Sequence, residues 1–161
     1  TALIGGTSGT YTTVYQQLPP IESINGFLSS HQMAVTQLTI QYCNVLADDT
    51  NLRTAYFNNG VANSLVNFGG MTLSSASDPA FTNRDRIITP LLDRVLNVSA
   101  TATNLTSQPD PSAVRNELRA MIGLLADTTT CPGGNCPADR TKAIVKATCA
   151  AALAGAPMLL Q

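Results

Sequence analysis

Apolar positions give the first outline of the chain. From Glu22 to about Asp48, Ile24, Leu28, His31, Val35, Leu38, Tyr42 and Val45 recur at alternating four- and three-residue steps, and Phe27, Ala34 and Leu46 widen the stripe. This spacing predicts a helix of about seven turns, long enough to be the central helix of a bundle. Asp48-Asp49 close it, and 51–57 predicts a short helical turn before the Asn58-Asn59-Gly60 break. Further on, Ile87, Ile88, Leu91, Leu92, Val95 and Leu96 repeat at helical spacing, and Pro90 either kinks that helix or stands at its first position behind Thr89 as N-cap. Asp110-Pro111 is a clear helix start, leading into Val114, Leu118, Met121, Ile122 and Leu125 on one face. A last helix is predicted from Pro137-Ala138-Asp139 to about Ala154, with Ile144, Val145, Cys149, Ala152 and Leu153 facing inward and Gly155 and Pro157 ending it.

Two stretches lack this periodicity. From Val61 to Phe81 the chain has short apolar patches, with Asn67-Phe68-Gly69-Gly70 and Ser74 to Pro79 reading as loops around them. Residues 1–20 are rich in Gly and Thr, and Tyr11 to Tyr15 have strand propensity with no partner strand in sight. The expectation there is an extended arm, ended by Pro19-Pro20 and docked outside its own bundle on a neighbouring copy or domain. The fold class expected is therefore mainly α: one domain over 21–161, an antiparallel bundle of four to five helices, with an extended N-terminal arm and two disulfides.

The disulfides follow from Cys43, Cys131, Cys136 and Cys149. Pro132, Gly133, Gly134 and Asn135 form turns, so Cys131 and Cys136 can meet, which leaves Cys43 for Cys149. The longer bridge closes a loop of about 100 residues, a closure contributing about 4 kcal/mol in the loop-entropy picture. The alternative is four buried thiols in a reducing compartment. Zinc is disfavoured because C-x4-C is not the usual close pair and the one histidine is distant, and haem attachment because Pro137 stands where the axial histidine would follow.

Composition adds a surface. Only 12% of residues are Asp, Glu, Lys or Arg, against about 25% in an ordinary soluble domain, and Thr, Asn, Ser, Gln and Ala take their place. Such a surface suits close packing against other copies or a larger polypeptide; a compact secreted monomer is the plainer alternative. A net charge of −1 with no basic cluster argues against nucleic acid and anionic membranes. No apolar run reaches the length of a membrane-spanning helix. Thr1 is not an initiator methionine, so the expectation is a mature or excised chain whose export signal, if it had one, has gone.

Candidate chemistry is sparse. His31 sits on the stripe of the central helix, where it could ligate a metal with Met33 or act as a base. Positions i and i+2 of a helix do not face each other, and a buried, hydrogen-bonded histidine is the better reading. Asp48 and Asp49 lack a calcium-loop frame, the serines lack a nucleophile elbow, and Gly5-Gly6-x-x-Gly9 lacks the strand-turn-helix context of a nucleotide site. Arg84, Asp85 and Arg86, with Arg115 and Arg119 one helical step apart, offer an acidic-partner surface or an ordinary solvated face. Asn97-Val98-Ser99 and Asn104-Leu105-Thr106 match glycosylation sequons, as Asn- and Thr-rich loops do by chance. No catalytic, cofactor or metal residue is assigned.

The stretches FLSSHQMAVTQLTIQYCNVLADD (27–49) and KAIVKATCAAALAGAPMLLQ (142–161) resemble an uncharacterised helical region of large exported bacterial proteins with laminin-G-like modules. No catalytic residues carry over from it. The resemblance implies an envelope or extracellular location and a role as one piece of a larger surface protein. The function expected is thus a non-enzymatic structural or assembly module of an exported, cell-surface or extracellular protein. Its partners would be copies of itself or neighbouring domains. The competing reading is a periplasmic or extracellular domain holding a small apolar ligand or cofactor between helices, with His31 as polar anchor; a hydrolase with an unrecognised site comes third.

Overall fold

In a computed structural model of the chain the described residues are 2–17, 29–57, 68, 71–74, 76–95 and 110–155. They form six α-helices and one two-residue β-bridge: α1 (Ala2–Gln17), α2 (Ser29–Asp48), α3 (Thr50–Phe57), β1 (Met71–Thr72), α4 (Thr82–Val95), α5 (Pro111–Leu125), β2 (Asn135–Cys136) and α6 (Ala138–Ala154). The class is mainly helical with two disulfides. Ile24, Phe27, Leu28, the Asn58-Asn59-Gly60 break, Leu96, both sequons and Pro157 lie outside the described residues.

The extended arm is corrected. Residues 2–17 are a helix packed on α2 of the same chain, with Val14 buried. Its glycines and threonines are poor helix formers, so the contact with α2 overrides local preference. Thr13 Oγ1 donates to the Gly9 carbonyl at 3.0 Å, a bond that threonine makes to its own helix.

The helices start and stop where local chemistry dictates. Asp49 accepts from the Asn51 and Leu52 amides at 2.9 Å and so caps α3. Asp110 accepts from the Ser112 amide at 3.0 Å with Pro111 in the first turn of α5. Arg140 donates two bonds to the Leu125 carbonyl at the end of α5, and α6 ends at Gly155. Pro90 lies inside α4, not at its start; it has no N–H for the carbonyl four residues back.

α2 packs on α6, α1 and α3, while α4 and α5 pack on each other and on α6. Between them lies one apolar core with Leu46, Phe57, Ile88, Leu92, Ile122 and Val145 among its members. Cys43 on α2 is bonded to Cys149 on α6, and Cys131 to Cys136, the pairing that spacing predicts. The buried face of α2 differs from its apolar stripe. Ala34, Thr39, Cys43, Leu46 and Ala47 are buried, whereas His31, Val35, Leu38, Tyr42 and Val45 are half-buried. Small residues let α2 and α6 come close enough for their cysteines to bond, and small residues leave little trace in a hydrophobic pattern.

The segment before α4 is built onto the small disulfide loop. β1 runs antiparallel to β2, pairing Met71 with Cys136 and Thr72 with Asn135. Gly133 and Gly134 turn the loop with φ of +61° and +83°. A Cβ at Gly134 would stand 1.6 Å from Ser77 Oγ, so the loop and the β1–α4 connection fit only without a side chain there.

Candidate functional site

The densest polar cluster lies where α4 begins. Asp78, buried four residues before the helix, accepts from the amides of Asn83 and Arg84 at 3.1 Å. Phe81 makes this reach possible by turning the chain in the left-handed region, at φ +58°, a costly conformation for a bulky residue. Asn83 Nδ2 then donates to the Thr72 carbonyl at 3.1 Å and to Thr72 Oγ1 at 2.7 Å, fastening β1 to α4.

Arg84 is 2% exposed. Its Nε donates to the Leu73 carbonyl at 2.8 Å and its Nη1 to the Arg119 carbonyl at 3.4 Å; Nη2 has no acceptor among the described residues. Burial holds this guanidinium below its ordinary pKa, opposed by the nearby Asp78 charge. The Phe81 ring is flanked by two cations, with Arg84 Cζ 5.3 Å and Arg119 Cζ 4.6 Å from its centroid. Arg119 forks onto Asp85, Nε to Oδ1 at 2.8 Å and Nη2 to Oδ2, and this bonding holds Arg119 above its usual pKa. Arg115 donates to Thr89 Oγ1 at 2.8 Å and lies 3.9 Å from Asp85 Oδ1.

This geometry corrects both sequence readings of the cluster. Arg84 is buried in the fold, and Asp85 stands between Arg115 and Arg119, so these side chains join α4 to α5 instead of facing an acidic partner or open solvent. Arg86 is half-buried on α4. The cluster holds the start of α4 to β1 and to α5.

The remaining candidates are dispersed. His31 is half-buried near the start of α2, and Met33 two residues later is exposed, so the helix separates them. Asp48 receives Lys146 Nζ at 2.9 Å and Lys142 Nζ at 3.4 Å. The hydrogen bond from Lys146 is the main cause holding its carboxyl below the usual range. Ser74 and Ser77 bond to each other at 2.9 Å beside the disulfide loop. Among the described residues no group of three His, Cys, Asp or Glu side chains could hold a metal, and no helix is long and apolar enough to cross a membrane.

Sequence reasoning missed Asp78, Phe81 and the Arg119–Asp85 pair. Asp78 caps from outside the usual N-cap window, and the ion pair spans 34 positions, beyond any helical step. It also missed the exposed apolar side chains of the first two helices. Tyr11 and Tyr15, 57% and 66% exposed, lie one above the other on α1 with ring centroids 6.1 Å apart. Met33 and Ile40, 65% and 47% exposed, stand seven positions apart on α2. In comparison with known proteins, no family model, curated protein or solved structure matches this chain.

Proposed function

We propose that the chain is a non-enzymatic structural or assembly module of an exported, cell-surface or extracellular protein, working through contact with other copies or neighbouring domains. The observation carrying this reading is the pair of buried disulfides, above all Cys43–Cys149, which bonds α2 to α6 across 106 positions. Such bonds persist in oxidising compartments and are rare in reducing ones. The charged residues at the densest polar cluster support the same reading, since Asp78, Arg84, Asp85 and Arg119 are used to fasten helices.

Peptide mapping of unreduced protein, isolated from its natural source under thiol-blocking conditions, tests it. Recovery of Cys43 linked to Cys149 and Cys131 linked to Cys136 is the expected result; four blocked free thiols would overturn the exported location. Absorbance and native mass spectra test the non-catalytic part. A stoichiometric chromophore or metal that disappears in His31→Gln would replace assembly with the ligand-holding alternative.

A further inference from the structure

We propose that α1 and the exposed side of α2 form the surface through which two copies of this chain associate, each setting its Tyr11–Tyr15 pair against the other. This rests on the assembly reading above and names both the partner and the surface.

Charge distribution carries the argument. Glu22 is the sole Asp, Glu, Lys or Arg in residues 1–47; all others lie from Asp48 onward. The helix pair built from this stretch is therefore almost neutral, yet it exposes Tyr11, Tyr15, Met33 and Ile40. Depletion of charge with enrichment in aromatic residues and methionine is the composition of interface centres. Such a face offers no counter-charge to an acidic or basic partner and no cation to an anionic lipid surface. Its complement is a second neutral, apolar face, and a two-fold pairing supplies one from the same sequence. Tyrosine suits this role, because it covers apolar area while its hydroxyl still finds a hydrogen bond.

Helix stability points the same way. Ala2–Gln17 contains three glycines and four threonines, together worth several kcal/mol against helix formation relative to alanine, at about 1 per Gly and about 0.6 per Thr. Its tyrosines remain largely exposed beside α2, so a further surface against α1 would offset part of that cost.

Size is sufficient for a weak dimer. A helix of 16 residues is about 24 Å long, and a two-helix layer about 20 Å wide gives roughly 500 Å² per copy. That is the lower end of specific interfaces, a size found among weak and transient associations.

Sedimentation velocity of the full oxidised chain from roughly 1 to 300 μM tests the proposal. A monomer–dimer transition is expected in the wild type. Tyr11→Lys/Tyr15→Lys should remain monomeric across the range with an unchanged circular dichroism spectrum and melt. Should that double variant melt differently, Ile40→Lys, on the other helix, carries the same test. A wild type that stays monomeric at the highest concentration overturns the proposal. So does a folded double variant that dimerises as the wild type does, or a monomer that binds neutral phosphatidylcholine vesicles through the tyrosines. None of these outcomes alters the disulfide map, so failure of this surface is distinguishable from failure of the exported-module reading.

Discussion

Gly134 occupies the tightest point of the fold, between the small disulfide loop and the start of α4. Its φ of +83° and the Ser77 hydroxyl in the space of its missing Cβ act in the same direction. Gly134→Ala is expected to destabilise the chain by about 2 kcal/mol or more, because the strain of a left-handed alanine adds to a displaced Ser74–Ser77 pair. Urea unfolding of the oxidised protein measures this. Asp48 is the contrasting residue: more than half of its side chain is exposed beside Lys142 and Lys146, and removal of such a pair costs at most about 1 kcal/mol.

Among the elements, α2 and α6 are held by chemistry that the other helices lack. Reduction of Cys43–Cys149 frees a loop of 106 positions, that of Cys131–Cys136 a loop of 5. In the loop-entropy picture these closures contribute about 4–5 and about 2 kcal/mol. Cys43→Ser should therefore lower the melting temperature clearly more than Cys131→Ser, and equal losses in calorimetry would show that strain or packing governs instead. Element by element, legibility followed locality. α5 and α6 were readable because Asp110-Pro111 and Pro137 to Gly155 mark their ends within a few residues. The pairing of the cysteines was readable because one turn fixes it. α1 was not, because Gly and Thr prefer other conformations and only its packing on α2 makes it helical. The buried side of α2 was hidden by being Ala, Thr and Cys, and the arginine cluster by linking residues far apart in the chain.

For the whole molecule, stability should form a plateau against pH with two limbs of different origin. Hydrogen bonds from Lys146, Ser112 and Thr130 hold Asp48, Asp110 and Asp127 below the usual carboxylate range. Their contribution is present above the unfolded value of about 4 and is lost as pH falls through their lowered values; all three are exposed, so this limb is shallow. On the alkaline side burial pushes Tyr56 up to about 12, outweighing the Arg94 guanidinium 4.4 Å from its ring. The neutral phenol is the form the fold accepts, so stability is intact below pH 10 and falls between about 10 and 12. Thermal melts across this range should show the alkaline decline, and Tyr56→Phe should reduce it.

The bond between Cys43 and Cys149 also has a mechanical meaning. Tension applied at the two ends of the chain runs from residue 1 to Cys43, crosses the sulfur bridge and continues to residue 161, so the 44–148 stretch bears none of it. Pulled in an oxidising medium, the module can lengthen only by its two short ends; with a reductant present, it gains a further roughly 350–380 Å of chain from the 106 positions released. Redox state would thus set how far this piece of polypeptide can be stretched, a difference that single-molecule force extension with and without reductant would measure directly.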